Sequence, residues 1–223
     1  MEVNSYIERK LSKSKSKSKS RRRSYNLSKS RKVNSYNVVE PEKIAIMMVG
    51  IPGSGKTGAK YKCATNYPKT KFVNIDPDEF LEHFWNNDRR HYHKAFKAAS
   101  KLLDRTIEEG RSLILDGTGV NLFKNIDRLY AEGYYISLCI NLLDKETCKE
   151  RAQSRYEKTG RRPDFTYINT VHRKHKDNIQ LYLESPKVMD AFVFSNDCED
   201  GRRRLICTKR FGNCDMSEIN MLY

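Results

Sequence analysis

The chain has 223 residues, with 43 Lys or Arg against 28 Asp or Glu, a formal net charge of +15 and 38% hydrophobic residues. That length fits one domain with an appendage, or two small ones. The longest apolar run, Ile44 to Val49, is far below the ~20 residues of a membrane-spanning helix, and the charged N-terminus lacks the apolar stretch of a secretory signal, so an intracellular chain is expected, cytoplasmic or, through its basic start, nuclear.

Residues 1–40 hold twelve Lys or Arg and only three acids. Within them Leu11 to Ser24 reads LSKSKSKSKSRRRS, with too little apolar surface to offset the entropy of ordering it. The expectation is a disordered basic tail over 1–40. Two readings of it stand. One is electrostatic contact with nucleic acid through residues 9–32, or a nuclear address. The other is a solvated extension with no specific partner.

From Pro41 the chain alternates apolar runs with helix-like stretches. Strands are expected over Lys43–Val49, Lys71–Ile75, Ser112–Leu115, Tyr134–Leu142 and Val188–Phe194. Helices are expected over Lys56–Asn66, Asp78–Glu109 in one or two pieces, Asn121–Ala131, Lys145–Lys158 and Tyr167–Glu184. Arg204–Lys209 adds a candidate hairpin strand through Glu199-Asp200-Gly201. Strand alternating with helix predicts an α/β fold: a mainly parallel five-stranded sheet flanked by helices, with a helical lid. The six cysteines include no C-x-x-C pair and are read as reduced thiols. The pairs His91/His93 and His172/His175 are read as surface residues, and Phe84 and Trp85 as core.

The strongest motif is Gly50-Ile51-Pro52-Gly53-Ser54-Gly55-Lys56-Thr57, which fits G-x-x-x-x-G-K-T with a strand before it and a helix after it. Glycines let the backbone curl until successive N–H groups face phosphate oxygens, and the helix N-terminus adds partial positive charge there. Lys56 is placed to reach the β and γ phosphates, and the Thr57 hydroxyl to ligate Mg²⁺. All eight residues are therefore assigned to ATP. Leu113-Ile114-Leu115-Asp116 ends an apolar strand in a carboxylate, the way P-loop proteins aim an acid at the metal's water shell. The second strand ends in Asn74-Ile75-Asp76-Pro77-Asp78-Glu79-Phe80. A kinase needs a carboxylate to orient an attacking hydroxyl and accept its proton; Asp78 is the choice and Asp76 the reserve. The helix from Lys145 carries Arg151 and Arg155 four apart, on one face. It breaks at Gly160-Arg161-Arg162-Pro163, which suggests a mobile lid whose guanidinium groups neutralise the transferring phosphoryl group. No N-K-x-D run is present, so ATP is favoured over GTP.

With GIPGSGKT, NIDPDEF, LILDGTG and RYEKTGRRP in this order, the chain resembles the zeta-toxin family of small-molecule kinases, in the wider P-loop group that includes polynucleotide 5′-hydroxyl kinases. The resemblance runs from about Lys43 to Ser195. It implies that Asp78 is the catalytic base, that Arg155 and either Arg161 or Arg162 contact the γ phosphate, and that Asp116 and Thr118 sit by substrate and metal. It implies a UDP-activated amino sugar as the typical acceptor. The chain departs from the family pattern at Leu81 and at Val120, where basic residues are usual, and at Glu82–Asn86; these positions shape the acceptor pocket.

The reading is an ATP- and Mg²⁺-dependent phosphotransferase acting on a hydroxyl of a small molecule, a nucleotide sugar being the candidate. Asp76, Asp78 and Thr118 face that acceptor. Two alternatives are a polynucleotide 5′-hydroxyl kinase whose tail holds the strand, and a nucleic-acid-binding adaptor with a non-catalytic P-loop. No membrane contact is expected, and the sequence sets no oligomeric state.

Overall fold

The structure, a computed structural model, describes residues 3–15, 41–160, 162–196, 203–209 and 214–221. Arg161, the turn Glu199-Asp200-Gly201 and residues 16–40 of the basic segment lie outside them.

Seven consecutive residues of β1 (Ile44–Gly50) are buried, as expected of a parallel strand covered on both faces. Its alternation sorts them. Ala45, Met47 and Val49 enter the larger core, while Ile44, Ile46 and Met48 enter the opposite one. The other strands are β2 (Val73–Ile75), β3 (Leu113–Leu115), β4 (Tyr135–Leu142), β5 (Asp190–Ser195) and β6 (Arg204–Thr208). They form one six-stranded sheet in the order β2-β3-β1-β4-β5-β6. All neighbours are parallel except β6, which runs antiparallel to β5. The sheet therefore has the five parallel strands expected, plus the hairpin strand.

The helices are α1 (Val3–Lys15), α2 (Lys56–Ala64), α3 (Pro77–Trp85), α4 (Tyr92–Glu108), α5 (Leu122–Ala131), α6 (Lys145–Thr159), α7 (Phe165–Glu184) and α8 (Met216–Met221). The stretch expected as one or two helices is split at Asn86 and Asn87, both at positive φ, followed by a 3₁₀ turn over Arg89–His91. No helix among the described residues is long and apolar enough to cross a membrane.

Three expectations are corrected. Residues 3–15 are not an unstructured part of the tail but form α1, with Ile7 1% and Leu11 2% exposed in the main core. Val3, Tyr6, Ile7 and Leu11 recur at helical spacing and make an apolar face that the average composition hides. Second, Cys63 of α2 is disulfide-bonded to Cys139 of β4, and Cys207 to Cys214. The first pair is 76 residues apart in sequence, so no local pattern betrayed it; the fold puts both in the core on one face of the sheet. Third, His175 is fully buried. Ile168, Val171, His175, Ile179 and Tyr182 recur every three or four residues on the buried face of α7, a stripe that includes the histidine. Phe84 and Trp85 pack against the main core as expected.

Candidate active site

In an open parallel sheet, ligands gather beyond the carboxyl ends of the strands. Here β1 leads into the Gly50–Thr57 loop, β2 into Asp76 and Asp78, and β3 into Asp116 and Thr118. These ends and the inner sides of α6 and α7 enclose a cavity of about 920 Å³. Lys56, Thr57, Asp76, Asp78, Asp116 and Thr118 all line it. So do Arg155 and Arg162.

The loop is held tightly. Gly53 has φ +97°, and a Cβ there would run into the backbone carbonyl of Cys148 at the start of α6. Only glycine satisfies both conditions. The Gly50 N–H donates to the Thr118 carbonyl at 3.2 Å and the Ser54 N–H to the Ile51 carbonyl at 3.0 Å. The Lys56 ammonium folds back over the loop and donates to the carbonyls of Gly50 at 2.9 Å and Ile51 at 3.1 Å. Burial pulls its pKa below the usual lysine value, while the carboxylates of Asp116 and Asp78 push the other way. Ile51 and Ser54 are fully buried and are not among the residues that line the cavity. Ile51 joins Leu143, Cys148, Ala152, Ile168 and Val171 in a small core at the base of α6 and α7. From the far side, Arg203 donates to the Gly55 carbonyl at 2.7 Å, and Asn196 donates to the Ser54 carbonyl.

The acids are ordered by local capping. The Asp76 side chain accepts the N–H of Asp78 at 2.9 Å and caps α3, with Pro77 following it. Burial raises the Asp76 carboxyl to about 6, helped by the negative charges of Asp116 and Asp78. Asp116 is paired with Lys60 of α2, whose Nζ lies 3.1 Å from Oδ2. Lys60 was not singled out from the sequence, although it sits one turn beyond Lys56 on the same helical face. Thr118 is fixed by α7. His175 Nε2 lies 2.6 Å from its carbonyl oxygen, and Tyr167 shares a 3.1 Å hydrogen bond with its hydroxyl.

On the lid, Arg151 reaches the Asn196 carbonyl at 3.4 Å, and Arg89 reaches the Arg162 carbonyl at 3.4 Å. The cavity is also lined by Arg89, Tyr92, Phe96, Lys124, Arg128 and Lys174. These residues gave no motif, because four separate elements contribute them.

A phosphate loop on the central strand, with carboxylates on the two strands to one side of it and arginine-bearing helices above, defines a P-loop kinase. Sequence comparison narrows the class: the profile of the Zeta toxin family matches residues 28–199. The chain belongs to that family. No curated protein matches the sequence. Among solved structures, the chain is similar to one from the PezAT chromosomal toxin–antitoxin system of the human pathogen Streptococcus pneumoniae, with TM-score 0.67, 19% identity, and 99% of this chain and 86% of that chain covered. It is also similar to a chain of the AvrRxo1-ORF1:-ORF2 complex with ATP, at TM-score 0.65 and 13% identity, covering 81% of this chain and 63% of that one. A third likeness is to the Pnkp1/Rnl/Hen1 RNA repair complex, at TM-score 0.51 and 20% identity, covering 69% and 49%. At such identities these likenesses concern the fold alone.

Proposed function

We propose that the protein transfers the γ-phosphoryl group of ATP to a hydroxyl of a small molecule, with a nucleotide sugar as the acceptor class. The observation that carries this is the shared cavity: Lys56, the carboxylates of Asp76, Asp78 and Asp116, and the guanidinium groups of Arg155 and Arg162 all line it.

In this reading the loop amides and Lys56 hold the triphosphate. The oxygen donors Thr57 and Asp116 suit Mg²⁺, a hard cation bound through one or two protein oxygens together with substrate phosphates. When bound, the ion would neutralise charge on the β and γ phosphates. Asp78 accepts the proton of the acceptor hydroxyl as that oxygen bonds to the γ phosphorus. The bond from that phosphorus to the β–γ bridging oxygen breaks, and ADP leaves with the electron pair. Asp76 orients Asp78 by capping its helix, and Thr118 faces the acceptor. Arg155 and Arg162 offset charge on the transferring group; Arg161 is the alternative to Arg162.

The rest of the cavity supports this acceptor class. Tyr92 and Phe96 are 38% and 59% exposed, which makes them available to a planar base. Arg89, Lys124, Arg128 and Lys174 line the same cavity, Arg128 while paired with Asp104, and supply cations for a diphosphate.

The test is transfer from labelled ATP to a panel of nucleotide sugars, free sugars and 5′-hydroxyl oligonucleotides. Nucleotide sugars should be labelled. Asp78→Asn should retain ATP binding and lose turnover by about 10²–10⁴-fold. Full turnover in that variant would remove Asp78 from the mechanism, and labelling of oligonucleotides alone would replace the acceptor class.

A further inference from the structure

A chain of polar contacts runs from the N-terminal helix to Asp116. Lys10 of α1 pairs with Glu79 Oε2. The other oxygen of Glu79 accepts from the Asn74 amide nitrogen. The Asn74 amide oxygen accepts from Lys60 Nζ at 3.1 Å, and the same ammonium donates to Asp116 Oδ2 at 3.1 Å. Donors and acceptors alternate without conflict, and the charges at its two ends fix which way the Asn74 amide points: NH₂ toward the carboxylate, oxygen toward the ammonium.

We propose that Lys60, Asn74, Glu79 and Lys10 are positioning residues for Asp116, so that docking of α1 sets the orientation of the metal-side carboxylate. The inference rests on the assignment of Asp116 to Mg²⁺ above. Its physical basis is competition for one cation. Lys60 is only 5% exposed, and Asp116, Asp76 and Glu79 all act on its charge, Asp116 most. With α1 docked, Lys10 neutralises Glu79 and Lys60 serves Asp116. With Lys10 removed, Glu79 is an unneutralised carboxylate one amide away from Lys60, and draws the ammonium toward itself. The carboxylate of Asp116 then loses its fixed partner.

The helix is anchored independently of this ion pair. Ile7 and Leu11 are buried, Glu8 pairs with Arg105, and the Tyr6 ring lies 5.3 Å from Phe80, 4.5 Å from His83 and 5.4 Å from Phe84. Those three rings belong to α3, the helix that carries Asp78 and Glu79. Lys10 can therefore be altered with the helix still in place.

The test uses the full chain with Mn²⁺ and a non-hydrolysable ATP analogue, and reads metal binding by electron paramagnetic resonance. Lys10→Met should weaken Mn²⁺ binding about fivefold, the size of a coupling between contacting polar groups. The affinity for metal-free analogue should stay unchanged. Lys10→Arg should restore Mn²⁺ binding, and Lys10→Met should add nothing in a Lys60→Met background. Hydrogen exchange over residues 3–15 reports whether α1 stays docked. Unchanged Mn²⁺ binding in Lys10→Met, docked or not, overturns the relay, as do additive effects of the two substitutions. A wild-type protein that binds the analogue but no Mn²⁺ refutes the metal assignment and the relay with it.

Discussion

His175 gives a quantitative prediction about pH. It lies on the buried face of α7 with Nε2 2.6 Å from the Thr118 carbonyl, and burial pulls its pKa from 6.5 to about 4. The unfolded chain thus takes up a proton near pH 6.5 that the folded chain refuses until about pH 4. Stability rises with pH wherever the unfolded state holds more protons. The contribution is therefore intact above pH 6.5 and is lost progressively as pH falls toward 4. At about 1.4 kcal/mol per pH unit, the loss at pH 5 relative to pH 7 is roughly 2 kcal/mol. Asp76 works the other way. Its raised pKa makes the folded state the better proton acceptor between the usual carboxylate range and about 6, so acidification favours folding through that group. A single pH scan blends the two. The assay is urea unfolding at pH 7 and pH 5 for wild type and for His175→Gln, whose terminal amide nitrogen takes the place of Nε2. The Asp76 contribution cancels in the comparison. Wild type should lose about 2 kcal/mol more than the variant between the two pH values. Equal losses would refute the claim that a neutral, buried His175 shapes acid stability.

Lys56→Ala should lower phosphoryl transfer by at least about 10²-fold, since the loop loses the cation proposed to hold the phosphates; single-turnover rates with labelled ATP check it. Gly119→Ala should destabilise the fold by about 2–3 kcal/mol by thermal unfolding. Its φ of +83° resists a side chain and the new Cβ would meet Val49 Cγ1 at 2.9 Å, so backbone strain adds to overpacking. Ile7→Asp should undock α1, because a carboxylate cannot sit where a fully buried isoleucine does. Limited proteolysis should then cut within residues 3–15 under conditions that leave that helix uncut in wild type.

The sheet was legible because its strands are buried runs separated by helices of regular period, and the phosphate loop because its chemistry dictates its spelling. The carboxylates at the ends of β2 and β3 were legible because each follows a short strand, Val73–Ile75 and Leu113–Leu115. What escaped notice depends on contacts across the sequence. Lys60 looks like any exposed lysine until Asn74 and Asp116 are brought to it from two other strands. The cations Arg89, Lys124, Arg128 and Lys174 of the cavity wall come from three separate elements, and only Lys124 and Arg128 share a helix. Cys63 and Cys139 meet only through packing of α2 on β4. Helix α1 was hidden by its neighbours, since a Ser-Lys repeat begins before the helix ends.

The Ile51 side chain links two parts that would otherwise be expected to move separately. It is rooted among Cys148, Ala152, Ile168 and Val171, and Gly53 rests against the carbonyl of Cys148. The crest of the loop is thereby moored to the foot of both lid helices. At the other end of α6 Gly160 sits at φ +70° with open space around it. The phosphate loop is in this way tied to the first turn of α6, at the end of the helix opposite Gly160.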